Sequence, residues 1–89
     1  MNLKVSTKSD INKVAGAIAS MINDGMDVSI TTIGAGALNQ AIKSIAVARS
    51  FTISKGIDLT ISPSFITIKE NQDETSITGL SLKINKKEN

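Results

Sequence analysis

Serine and threonine hydroxyls are frequent in this 89-residue chain, yet it has no His, Cys, Tyr or Trp to work beside them. An imidazole is the usual general base near neutral pH and a thiolate the usual alternative nucleophile, and both are common metal ligands. Carboxylates gather in two places: Asp24 and Asp27 around Gly25, and Glu70, Asp73 and Glu74 in a later polar stretch. Neither set has the dense alternating oxygen ligands of a calcium loop, and solvated turn charges account for both. The residue types argue against an enzyme and call for no metal or organic cofactor.

One stretch could hold an anion. Ile33, Gly34, Ala35, Gly36 and Ala37 follow a β-branched run and open a helical pattern, so free N–H groups at a helix N-terminus face that turn. The glycine fingerprint of dinucleotide sites is incomplete, because Asn39 stands where its third glycine belongs, and no Walker lysine follows. Tight packing is the competing explanation for the small residues Gly34, Ala35, Gly36 and Ala37.

The elements around that turn follow from hydrophobic period. Leu3 and Val5 alternate with Asn2, Lys4 and Ser6, which predicts a half-buried first strand ending near Thr7. Ser9 or Asp10 then caps a helix whose Ile11, Val14, Ala15, Ile18, Met21 and Ile22 share one face, with Asn12, Lys13, Gly16, Ala19, Ser20 and Asn23 opposite. Gly16 costs roughly 1 kcal/mol relative to alanine inside a helix, so it either marks a close approach or is a tolerated small residue. Gly25 is the expected stop.

A second strand over residues 27–33 leads through the glycine turn into a second helix over 36–50. Leu38, Ala41, Ile42 and Ile45 project to one side of it, and Asn39, Gln40, Lys43, Ser44 and Val47 to the other. That second face is short-chained and carries one charge before the last turn, so it is the expected dimer contact, with a quiet solvated face as the alternative. Arg49 stands where a guanidinium favours the helix dipole.

Ile57, Leu59 and Ile61 begin a third strand. Pro63 marks it as an edge strand or a bulge, and Phe65, Ile66 and Ile68 continue in a shifted phase. A polar turn is expected over 71–74. Ile77, Leu80, Leu82 and Ile84 form the return strand, with a bulge expected near Gly79. The order is β-α-β-α-β-β, and right-handed crossovers place both helices on one face of the sheet. The fold class is therefore α+β, a two-layer domain with a protruding hairpin.

Charge and composition narrow the partners. The net charge is +2, and Lys86 and Lys87, expected in a short basic tail over 86–89 after a domain over 1–85, supply much of the excess. Phe51 and Phe65 are the only aromatic residues, so base stacking on aromatic platforms is nearly excluded. No apolar run approaches membrane length and no signal peptide is visible, so a cytoplasmic protein without a membrane partner is expected.

Three blocks carry a resemblance: KVSTKS from Lys4, VAGAIA from Val14, and IGAGALNQAIKSIAVARSF from Ile33. In content and order they resemble the stage V sporulation protein S family over almost the whole chain. The resemblance implies a regulatory protein that influences sporulation through septation and coat assembly. It also implies an Alba-like sandwich, with a mixed sheet of order 1-2-4-3 whose fourth strand is antiparallel to its neighbours. Alba-type proteins form homodimers or higher homo-oligomers and bind DNA or RNA. They use basic residues after strand 1, at the strand 2–helix 2 turn and on the final hairpin.

The first of those places has Lys8, with Lys13 a helical turn onward. The second has Ala35 and Ala37 instead of a basic residue, although Lys43 follows on the helix, and in the third Lys69 is followed by acids. Together with Lys4 on strand 1, the candidates for weak, sequence-independent binding are Lys4, Lys8, Lys13 and Lys43. A protein-interaction module of the sporulation or division machinery that never touches nucleic acid is the alternative.

Overall fold

The structure, a computed structural model, describes residues 1–70 and 75–88. The turn expected over 71–74, with Asp73 and Glu74, lies outside the described residues. The elements are β1 (Asn2–Val5), α1 (Ile11–Asn23), β2 (Val28–Thr32), α2 (Ala35–Thr52), a 3-10 turn (Ile53–Lys55), β3 (Ile57–Glu70) and β4 (Thr75–Glu88). The sheet order is β1-β2-β4-β3, with β1 parallel to β2 and β4 antiparallel to both its neighbours.

Strand alternation builds the core on one side of this sheet. Val5, Val28, Ile30, Leu59, Leu82 and Ile84 point to the same face and meet Ala15, Ile18 and Ile22 of α1 and Ala41, Ile45 and Ala48 of α2. Ile18 and Ile30 are fully buried, and truncating such a side chain to alanine costs roughly 2–5 kcal/mol. The opposite face carries Asn2, Lys4, Ser29, Thr31, Ser81 and Lys83, which is the polar-out half of the alternation.

Helix α1 starts where Asp10 accepts the Lys13 amide at 3.1 Å, and it stops before Gly25, whose φ is 77°. A Cβ on Gly16 would meet nothing within 4 Å, so no other backbone of this chain closes on the residue. Ala19, expected on the polar face, is buried, because α1 and α2 pack closely side by side and that approach requires small residues.

The same approach corrects the expected outer face of α2. Its Gln40 side chain donates to the Ser9 carbonyl at 3.1 Å, so the Gln40 side of the helix faces the start of α1. Ser44, one turn on, is 0% exposed and donates to the Gln40 carbonyl at 2.7 Å. Val47 packs against the core. Of the five residues expected at a dimer contact, only Asn39 and Lys43 are exposed, while Gln40, Ser44 and Val47 are turned inward to different degrees. Conversely Ile42, expected inside, is 39% exposed.

The hairpin is unbroken. β3 and β4 keep one register from Ile57 opposite Glu88 to Glu70 opposite Thr75, so neither expected bulge, at Pro63 or near Gly79, is present. Pro63 is tolerated because β3 is an edge strand. The change of phase has another cause: beyond the helices the apolar residues change sides. Ile66, Ile68 and Ile77 are half-buried on the face opposite to Ile57, Leu59 and Ile61. Lys86 and Lys87, expected in a tail, pair within β4 opposite Leu59 and Asp58.

Candidate functional site

The β1–α1 connection is held by its own polar side chains. Ser9 Oγ accepts the Ser6 amide at 2.9 Å, the Ser9 amide donates to the Ser6 carbonyl at 3.1 Å, and the Lys8 amide donates to Ser6 Oγ at 3.3 Å. With Asp10 capping the helix, the backbone needs are met locally and the Lys8 and Lys13 side chains are left exposed.

The Gln40–Ser9 bond joins this connection to α2. Lys8 precedes Ser9 by one residue and Lys43 follows Gln40 by three, so Lys8 and Lys43 sit at the same corner of the helical layer, with Lys13 in the first turn of α1. Asp10 is the acid within that corner. Lys4 is elsewhere: it lies opposite Thr31, on the face where Thr31 Oγ1 donates to Asn2 Oδ1, and so belongs to the open side of the sheet. Lys83, opposite Ser29, shares that side and is not among the lysines singled out by sequence. The alternation of Leu80, Leu82 and Ile84 with Ser81 and Lys83 is the signal that could have found it.

The glycine turn divides its work between two glycines. Gly34 has φ 87° and ψ 161°, a conformation that side chains resist, and no side chain caps α2 there. Gly36 is helical, but a Cβ on it would stand 2.5 Å from Thr7 Cγ2, so its bareness admits the β1–α1 connection. Ala37 is buried and Ala35 exposed. Backbone conformation and close packing thus account for both glycines.

Two other basic side chains, Arg49 and Lys86, are engaged. Arg49 Nε donates to Asp58 Oδ1 at the end of α2, and this bond, more than any other influence, holds the Asp58 carboxyl below its ordinary range. Lys86 Nζ donates to the Met26 carbonyl at 3.4 Å. No helix among the described residues is long and apolar enough to cross a membrane.

Comparison with known proteins places this architecture. Residues 1–87 match the model of the family described as stage V sporulation protein S. Among solved structures, Alba from Thermoplasma volcanium is similar, with a TM-score of 0.65 at 13% identity over 96% of this chain and 99% of that one. At that identity the likeness concerns the fold.

Proposed function

The chain belongs to the stage V sporulation protein S family, whose members have a sporulation-related role, and from that premise we propose a non-enzymatic regulator that holds nucleic acid weakly and without sequence preference. It acts in the cytoplasm as a homodimer or higher homo-oligomer, and its sporulation role runs through septation and coat assembly. The observation that carries the binding reading is the Gln40–Ser9 bond, which gathers Lys8, Lys13 and Lys43 at one corner of the helical layer.

Three lysines suit phosphates and little else. Arg49, the only arginine, is engaged by Asp58, and lysine is a point charge that fixes neither base nor register. If two or three lysines reach phosphates, a dimer makes about four to six contacts, and log affinity falls against log salt with a slope of about −4 to −5 on duplex DNA. The test is retardation of unrelated duplexes and single strands over a salt series. Similar, salt-sensitive binding of all duplexes is the expected result. Absence of any retardation at about 50 mM salt, where phosphate attraction is strongest, overturns the reading and leaves the protein-interaction module.

A further inference from the structure

Helices α1 and α2 lie side by side, and a furrow runs between them on the outer side of the helical layer. Its α2 wall passes from Gln40 through Val47 to Phe51, the side that Gln40 turns toward α1. Its α1 wall holds Gly16, just before the buried Ala19 that α2 covers.

Two features of this furrow have no use inside the chain. Gly16 is a poor helix former in the middle of a 13-residue helix, yet a Cβ there would meet nothing within 4 Å. Phe51, one of two aromatic residues, is 54% exposed. An exposed ring alone is ordinary. Beside a bare stretch of helix backbone it is an anchor next to a place where another backbone can come close.

The charges decide what fits. No acidic residue stands between Ile11 and Asn23 or between Ala35 and Thr52, and the cations there are Lys13, Lys43 and Arg49. Arg49 is held by Asp58, whereas Lys13 and Lys43 are exposed beside the furrow, three residues before Gly16 and four before Val47. Asp10 and Asp24 lie at the two ends of α1, not along it. A small apolar floor with a cationic rim suits a helix that has an apolar stripe flanked by carboxylates. A duplex would use the lysines but leave Val47 and Phe51 uncovered.

We propose that the furrow docks an acidic amphipathic helix of another protein. The backbone of that helix closes on Gly16, its apolar stripe covers Val47 and Phe51, and its carboxylates meet Lys13 and Lys43. The inference does not rest on nucleic-acid binding, and Gly16 and Phe51 lie outside the lysine corner, so they separate the two.

The probe is a labelled synthetic helix of about 18 residues, five turns, with leucine along one stripe and glutamate elsewhere. Fluorescence anisotropy follows its binding to the full chain at up to about 1 mM, the range of weak association. Binding is expected, and the same peptide with lysine in place of every glutamate is expected to stay free. Gly16→Gln fills the furrow without a clash and replaces a poor helix former by a better one. It is therefore expected to raise the melting temperature while weakening peptide binding at least about tenfold. Phe51→Ser is expected to weaken binding by a similar factor, and both variants retard duplex DNA as wild type does. Binding of both peptides or of neither overturns the proposal, as does full binding by either variant. Loss of duplex retardation in Gly16→Gln would make nucleic acid the occupant, and loss of self-association in sedimentation would make it a second copy. Either result overturns the proposal as well.

Discussion

Residues 6–10 carry the chain from β1 into α1, whereas residues 33 and 34 alone separate β2 from α2. The first junction satisfies its backbone with the side chains of Ser6, Ser9 and Asp10. The second has no capping side chain and relies on the positive φ of Gly34. They touch where Thr7 closes on the bare Cα of Gly36. The first junction leaves Lys8 and Lys13 exposed to solvent, while the second exposes Ala35 and carries no basic residue. Under the proposed function, the place for a polyanion is the β1–α1 junction, even though Gly34 and Gly36 give the β2–α2 junction the stronger outward likeness to a ligand site.

The comparison breaks most visibly at the glycines. Gly34→Val forces a β-branched residue to a φ of 87° and is expected to cost roughly 1–3 kcal/mol. Gly36→Val meets only the Thr7 methyl, which can turn aside, so its cost is smaller and Thr7→Ser relieves part of it. Thermal melts of the three variants and the double mutant check the order. Equal stability of Gly34→Val and wild type would mean that the turn is unconstrained.

At the first junction, Asp10→Ala removes the α1 cap and is expected to cost about 1 kcal/mol. It also removes the acid between Lys8 and Lys13, so nucleic-acid affinity rises as stability falls. Denaturation and retardation measured on the same variant separate the two effects, and a parallel fall in both would contradict the assignment of the corner.

A smaller effect comes from outside both junctions. Asp58 is held below its ordinary carboxyl range chiefly by its bond to Arg49. Its folded value is depressed, so its contribution to stability is full above about pH 4, the ordinary unfolded value, and is lost as pH falls through the folded one. Arg49→Ala is expected to flatten the acid limb of a melting-temperature profile slightly and leave neutral-pH binding unchanged. The pair is exposed, so the change is modest.

Element order, a cap at Ser9 or Asp10, the stop at Gly25 and the inward residues of β1, β2 and β4 are legible in the sequence, because each depends on local pattern, whereas Pro63 leaves an edge strand and a bulge equally open there. The facing of α2 is not. Hydropathy marks Ile42 as inward and Ser44 as outward, but close helix approach selects for size, and serine answers its own hydroxyl by bonding the Gln40 carbonyl. The change of face along the hairpin mimics bulges in the sequence, since a strand that outruns its covering layer changes which side is apolar without any break in register. Lys8, Lys13 and Lys43 are identifiable as candidates, but their common corner depends on the Gln40–Ser9 bond. That Lys4 lies on the far side of the sheet follows from alternation alone.

That separation gives the most direct test of the central claim, that the β1–α1 corner is where nucleic acid binds. The salt slope of duplex binding is measured for wild type, Lys8→Glu and Lys4→Glu. The corner predicts that Lys8→Glu weakens binding to every duplex and lowers the magnitude of the slope by about 1 to 2 in a dimer, while Lys4→Glu, on the open side of the sheet, changes it little. Equal losses for the two variants, or a larger loss for Lys4→Glu, would contradict the account.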